Sequence, residues 1–458
     1  MSASQTTAQV TATEAYEIGR DAYIYSFPLV VMELTRRLAT SVLSPQPNAY
    51  APINQLGYFE VFPDASFKDV VRPNNDTLYG SAWLDLSQEP IVLEVPDMGD
   101  RYYLLNVLNM WTDVMADPSP RTTTLGAKTY LIVGTGWSGD IPQGMETIKS
   151  TTNIAWFLSR IKVDSAEDVQ NVRDLYQQFH LIPLSAYGRF YPPPQGVPPN
   201  PDWDISTPPL FQIREMNGRT FFPLIAELLK SNPPYPADAP LVARMAQIGL
   251  IPGQSFDWDA LNPTIQQELE RAVQDGLAVI TSTSPEGDIR NGWTINVETG
   301  LGSPGNFGTN YLNRAYIALV GLGANLREDA VYPMTSTDAE NRPLTGAYRY
   351  RMHFLPGQLP PVSAFWSLTM YDQDGFFVDN PLDRYVLGDR SNLATNPDGS
   401  IDLLIQHEAP AEDQQLNWLP APSGDFLLQM RLYWPGAEVL QGNWAPPPIE
   451  RLESSSSS

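Results

Sequence analysis

The chain has 458 residues, 28 basic against 52 acidic side chains for a net charge of −24, and no cysteine. A body this negative, with lysine only at 68, 128, 149, 162 and 230 and no basic patch, argues against nucleic acid as a partner. The missing cysteines exclude disulfides, thiolate metal sites and thiol nucleophiles, and a composition of 42% hydrophobic and 17% charged residues predicts a folded globular protein.

The start, Met-Ser-Ala-Ser-Gln-Thr-Thr, lacks the basic and apolar regions of a signal peptide, so the chain as given reads as cytoplasmic. The ending, 452–458, reads as a flexible tail or engineered remnant, and a periplasmic or secreted location is expected if a signal was trimmed from the other end. No apolar run reaches the roughly 18 to 20 residues that a transmembrane helix needs.

Thr11 and Glu14 form a capping-box pattern, and Ile18, Ala22, Tyr25 and Leu29 follow at helical spacing, which predicts a helix within an opening segment 1–45 that Pro28 should kink or end. The region 46–164 reads as an antiparallel β domain, with strands expected at Ile91–Val95, Arg101–Leu108 and Thr129–Val133. From 165 to 330 the pattern is mostly helical: Val169 to Phe179, Phe221–Leu229, Leu241–Ile248, Thr264–Ile280 and Tyr311–Leu326, helices expected to bridge two sheets. Within it the proline-rich stretch 191–201 can be only loop or arm. A second β region, 331–451, is expected to hold strands at Tyr348–Phe354, Ala364–Tyr371, Leu403–His407 and Phe426–Trp434. Proline, at 43 residues, is roughly twice its usual share, which favours loops and edge-protected sandwich strands.

Several motifs carry a functional and a plain structural reading. Gly134-Thr-Gly136-Trp-Ser-Gly139 has the spacing of a dinucleotide fingerprint, but Pro142 follows where a phosphate-binding helix should begin, so a tight turn is expected and no cofactor is predicted. The loops from Asp372 to Gly375 and from Asn396 to Asp402 space oxygens as calcium loops do, yet lack the full twelve-residue pattern; calcium in the second loop stands beside the ordinary hairpin reading. His180 reads as the end of a helix, whereas His353 and His407 lie in expected strands and could meet across a sheet as an acid–base or metal pair, or be satisfied core histidines.

The densest polar cluster is Arg72-Pro-Asn74-Asn75-Asp76-Thr-Leu-Tyr79, with Arg101-Tyr102-Tyr103, Asn106 and Asp113 downstream. Amides, a carboxylate, a phenol and a guanidinium are the materials of a pocket for a polar ligand; the alternative is a side-chain-capped turn with an Asp76–Arg101 ion pair. Trp366, Tyr371, Trp418, Tyr433, Trp434 and Trp444 could stack on sugar rings or simply fill a sandwich core.

These residues resemble a bacterial two-domain family of unknown function, domain of unknown function 1254 at the N-terminal end joined to domain of unknown function 1214 at the C-terminal end. The first resemblance runs through Ala22-Tyr-Ile-Tyr-Ser-Phe-Pro28, Val71 to Tyr79, Ala82 to Ser87 and Arg101-Tyr-Tyr103. The second runs through Arg314-Ala315, Ala364 to Tyr371, Asn380 to Tyr385, Ile405-Gln-His-Glu408, Asn417 to Pro422 and Arg431-Leu-Tyr-Trp-Pro435. It implies a mainly β fold with helical insertions (α+β): two antiparallel jelly-roll-like β-sandwich domains joined by a helical middle segment, similar in architecture to paired-jelly-roll peptide N-glycosidases. It carries no catalytic residue, because shared fold is not shared function.

The resulting expectation is a soluble enzyme or enzyme-like protein acting on a small polar or glycan-like ligand between the two β domains. As a hydrolase it would use Asp76 or Glu408 as base, His353 or His407 as proton shuttle, and Asn75 and Arg101 as clamps, with Tyr79, Tyr103, Trp366 and Tyr371 at the ligand. The alternative is a ligand-binding module or a non-catalytic, self-assembling homo-oligomer in which the 191–201 arm reaches a neighbour.

Overall fold

The computed structural model describes residues 10–68, 72–283, 287–295 and 304–452; the expected tail from 453 onward lies outside these. The protein is β-rich, with four sheets and several helices. Sheet A runs in the order Gly57–Tyr58, Thr77–Asp85, Ile154–Lys162, Tyr103–Asn109, Val114–Ala116, all antiparallel. Sheet B runs Glu146–Lys149, Lys128–Val133, Ile91–Val95, His180–Pro183, its first pair parallel. Leu78, Leu84, Leu105 and Phe157 of sheet A share one apolar cluster with Leu93 and Ile132 of sheet B.

The C-terminal half repeats this plan. Sheet C is centred on the long antiparallel pair Val362–Asp372 and Phe426–Pro435, extended by Val386–Gly388 on one side and by Ala330–Val331, Met334–Thr335, Trp293–Ile295 and Asp288–Arg290 on the other. Sheet D runs Trp418–Pro420, Ile401–Gln406, Arg349–Phe354, Ile449–Leu452, again with one parallel pair. Leu368, Met430 and Leu432 from sheet C pack with Tyr350, Met352 and Leu403 from sheet D.

The first helix, Ala12–Thr40, starts at the expected Thr11–Glu14 capping box but continues through Pro28 instead of ending there. Its residues from Ala22 to Leu34 are almost all buried, so tertiary packing overrides the missing backbone donor. Around it pack Gly218–Leu228, Ala239–Met245, Pro263–Ser282 and Tyr311–Val320. This helical layer shares its core with Trp83, Leu108, Trp156 and Leu158 of sheet A and with no residue of sheets C or D, so the helices cover one sheet and do not bridge two. Close fit requires glycine here: a Cβ on Gly19 would lie 2.5 Å from Leu269. Among the described residues no helix is long and apolar enough to cross a membrane.

The proline-rich stretch is loop, as expected, and it lies against its own chain. Gly196 N donates to Leu43 O at 2.9 Å, and Gln55 Nε2 donates to Pro194 O at 2.7 Å. His180 opens a strand paired with Glu94 and does not end a helix, because the preceding helix stops at Tyr176.

Candidate functional site

Side chains alternate between the faces of a strand. On sheet A, Leu78, Ala82 and Leu84 face sheet B, so Tyr79 and Ser81 face the other way, and the ladder puts Arg160 opposite Tyr79 and Leu158 opposite Asn106 on that same face. On sheet C, Leu368, Met370, Met430 and Leu432 face sheet D, which leaves Ser367, Thr369, Tyr371, Gln429, Arg431 and Tyr433 on the outer face. The two polar faces meet. Asn74 Nδ2 donates to Tyr433 Oη at 2.8 Å, Tyr371 Oη donates to Pro73 O at 2.5 Å, and the Tyr102 ring lies 5.9 Å from that of Tyr433.

The turn 72–76 is the hub of this junction. Asn74 Oδ1 accepts from the backbone of Asp76 at 2.6 Å and of Thr77 at 3.2 Å, a side-chain-capped turn that frees its amide nitrogen for the other half of the molecule. Asp76 is wholly buried; its carboxylate accepts from Ser367 Oγ at 2.6 Å and pairs with the Arg390 guanidinium, which also donates to Val163 O at 2.7 Å. Arg431, also buried, donates to Thr369 Oγ1 at 2.7 Å, Tyr371 Oη at 2.6 Å and the carbonyls of Arg72 and Pro73 at 3.1 Å. Burial opposes its charge, but Tyr371, Tyr433 and Asp76 outweigh that and hold the guanidinium protonated.

Arg160 is 5% exposed and donates to Gly323 O at 2.8 Å, with the Tyr79 phenol as its other polar neighbour and its guanidinium carbon 4.8 Å from the centre of that ring. Its Nε and Nη1 have no partner. Burial again works against the charge, and Tyr79, Tyr332 and Tyr433 support it enough to raise the affinity for the proton. Beside it Asn106 Nδ2 donates to Asn325 Oδ1 at 2.8 Å and Asn325 Nδ2 to Tyr332 Oη at 2.5 Å, yet Asn106 Oδ1 is left unbonded, as is Gln429 Oε1 from the facing sheet. An unmet buried polar atom costs about 1–3 kcal/mol, more for a charged group. Burial lifts the Tyr332 hydroxyl to about 12, although the residue keeps part of its surface accessible.

Of the residues singled out in the sequence, Asp76, Tyr79 and Tyr371 come together here. Asn75 turns aside: with its amide nitrogen oriented to donate, it bonds Pro63 O at 2.9 Å. Arg101 does not pair with Asp76. It makes a bidentate bond to Asp168, at 2.5 and 2.8 Å, because it stands before its strand beside the 164–168 turn, and Arg390 takes its place at Asp76. Tyr103 and Trp366 point into the two apolar cores, Tyr103 reaching Thr123 Oγ1 at 3.2 Å and Trp366 packing 5.4 Å from Phe354.

The two histidines do not meet. The ladder sets His353 opposite Asp402, to which its Nδ1 bonds at 2.6 Å, while His407 lies beyond the strand end and bonds Ala421 O at 2.9 Å. Since Met352 and Phe354 face sheet C, His353 points away from it, and the whole apolar core between sheets C and D separates it from Asp76. Glu408 is exposed near His407. Thus Asp76, Arg101, His353 and His407 do not converge on one cavity.

The remaining motifs are turns. Gly134 to Gly139 line a shallow concavity of about 350 Å³ with no helix behind it; the next element is the strand Glu146–Lys149. Asp372 Oδ1 accepts from Phe376 N at 2.8 Å, and Asp398 Oδ1 accepts from Ser400 Oγ at 2.7 Å, so these loop carboxylates serve their own turns. Among the described residues no group of three or more histidine and acidic side chains is placed to hold a metal ion.

Sequence reasoning missed Arg160, Arg390, Gln429 and Tyr332, and took Arg431 only as part of a resemblance. The signal was present: each of Arg160 and Arg431 is a lone charge inside an apolar strand, Ala155-Trp-Phe-Leu-Ser-Arg160-Ile and Leu427-Leu-Gln-Met-Arg431-Leu. A cation in such a run must be buried and compensated.

The two halves that form this junction correspond to two known families. Residues 53–183 match the model of DUF1254, a protein of unknown function, and residues 329–437 match that of DUF1214, likewise a protein of unknown function. The chain joins an N-terminal DUF1254 to a C-terminal DUF1214. No curated protein matches it. Among solved structures it is similar to the VPA0106 protein from Vibrio parahaemolyticus, at 22% identity and a TM-score of 0.70, over 96% of this chain and 100% of that one. A putative uncharacterized protein from Burkholderia cenocepacia aligns at 11% identity and a TM-score of 0.45, over 96% of this chain and 98% of that one. The Vibrio likeness extends to the fold alone. The DUF1254 match contributes Asn74, Asp76, Tyr79, Asn106 and Arg160 to the junction, and the DUF1214 match contributes Tyr332, Ser367, Arg390, Arg431 and Tyr433.

Proposed function

We propose that this DUF1254–DUF1214 chain binds a small polar, glycan-like ligand between its two halves, in the layer where sheet A faces sheet C. The observation that carries this reading is the buried Arg160, whose Nε and Nη1 have no hydrogen-bond partner. Tyrosine rings beside unspent hydrogen-bonding groups are the surfaces that sugar-like ligands use. If the bound ligand is also hydrolysed, Tyr79, Tyr433 and Asp76 are the groups at hand, since the imidazoles lie beyond the C–D core. We further read sheets A with B and C with D as two jelly-roll-like β-sandwiches, a reading supported by the single apolar cluster within each pair.

The test is a thermal-shift screen of neutral and charged sugars and small polar metabolites on the intact chain and on Arg160→Gln. Ligands that stabilise the first and not the second are expected. Hits that stabilise both alike would discard the junction as the binding site. A second reading, self-association through the proline-rich loop, is favoured by Phe190 and Val197, which are 93% and 79% exposed. Sedimentation that gave a monomer up to high concentration would remove it.

A further inference from the structure

We infer that the ligand of this junction is a small hydroxylated acid, with its oxyanion on Arg160 and a hydroxyl on Asn106. The inference rests on the reading of the junction as a ligand site and adds the chemical class.

Charge bookkeeping is the first support. The layer buries the guanidiniums of Arg160 and Arg431 and partly buries that of Arg390, and the ion-paired carboxylates beside it, those of Asp76 and Asp389, both pair with Arg390. Asp76 also accepts from Ser367, and among the described residues neither acid lies within ion-pair distance of Arg160 or Arg431. Arg431 is bonded by neutral oxygens, those of Thr369, Tyr371 and the Arg72 and Pro73 carbonyls, and Arg160 by the carbonyl of Gly323 and the neighbouring Tyr79 phenol. A buried cation without a counter-charge is strongly unfavourable, and it sits in a chain whose net charge of −24 could have supplied carboxylates freely. An anion from outside completes the layer.

The second support is the sign of the other unmet atoms. Asn106 Oδ1 is an open acceptor and takes a donor, which a bare carboxylate lacks. If the Asn106 and Asn325 amides turn over together, with the Tyr332 hydroxyl then donating, the open Asn106 atom is nitrogen instead, and a hydroxyl, both donor and acceptor, meets either. The strand ladder places Asn106 beside Arg160 on the same face of sheet A, so one small molecule can reach both. An acid that carries hydroxyls supplies both kinds of group; a neutral sugar or a simple anion supplies one.

Isothermal titration of the intact chain with glucuronate and with glucose tests the class. Glucuronate is expected to bind at least about tenfold more tightly than glucose, the smaller end of what a charge-assisted bond at a buried site contributes. Arg160→Gln should lose that preference, and Arg160→Lys, which keeps the charge and guards against a folding artefact, should retain part of it. Equal affinity for the two sugars, abolished in Arg160→Gln, would overturn the acid inference while leaving the junction as a ligand site. Glucuronate binding untouched by either variant would overturn both. No binding of either sugar would overturn the inference.

Discussion

Replacing Asp168 by Asn should remove a stabilisation that exists only above acid pH. Asp168 accepts both arms of the Arg101 guanidinium, at 2.5 and 2.8 Å, and also bonds the backbone of Asp164 at 2.9 Å and Asn171 at 3.0 Å. Burial alone would raise its carboxyl, but the Arg101 bond and the others overcome this and bring it down to about 2, against an ordinary 3.8. A carboxyl that titrates lower in the fold than in the unfolded chain stabilises the fold once it is ionised in both. At about 1.36 kcal/mol per pH unit the difference amounts to roughly 2 kcal/mol, or about 1–2 after allowing for the 16% exposure of Arg101. The contribution is complete above about pH 4 and disappears as pH falls through about 2. Urea unfolding of the natural chain and Asp168→Asn should therefore differ by about 1–2 kcal/mol at pH 7, and the gap should close as pH falls from 4 toward 2. A gap that stayed constant across that range would show that the bidentate pair is not the origin of the effect.

Asp76→Asn takes from the partly buried Arg390 its nearest carboxylate, leaving Asp389 at 3.9 Å, and should cost up to about 3–5 kcal/mol, read as a large fall in thermal midpoint, whereas Ser367→Ala should cost only about 1–2. Gly323 has a φ of +79°, and a Cβ there would lie 2.7 Å from Leu158 Cδ2, so Gly323→Ala should destabilise by about 1–3 kcal/mol and weaken any ligand that needs Arg160; stability by urea and affinity by calorimetry check the two parts. Asp329 is buried and its carboxyl is raised to about 7 despite Arg121. The fold therefore holds this proton more tightly than the unfolded chain does, and the group's contribution to stability falls as pH rises from about 4 to 7. Asp329→Asn should gain stability relative to the natural chain between pH 5 and pH 8, which thermal melts across that range would reveal.

Much of the fold was legible because its signals are local. The capping box at Thr11 and Glu14, the β-branched apolar run between turn residues at Ile91–Val95 and the apolar spacing of Pro263–Ser282 all depend on near neighbours in sequence. The central strands Thr77–Asp85 and Ile154–Lys162 were not called, because both faces are buried and the alternation that marks a half-exposed strand is absent. The site was half legible. Asn74 and Asp76 were noticed as a cluster, but their partners Tyr433, Ser367 and Arg390 lie about 300 or more residues away, and nothing local specifies which arginine faces Asp76. Arg101 was the plausible choice by proximity in sequence, and the 164–168 turn claims it first. His353 failed for a reason of parity: one step along its strand, Met352 and Phe354 enter the core, so the imidazole faces outward.

The most direct test is a crystal structure of the intact chain grown with glucuronate, refined at a resolution that separates water from ligand. The account predicts a bound acid between sheets A and C, its carboxylate on Arg160 Nε or Nη1 and a hydroxyl on Asn106 Oδ1. Ordered waters alone completing those bonds, with the sugar acid absent or bound elsewhere, would contradict it.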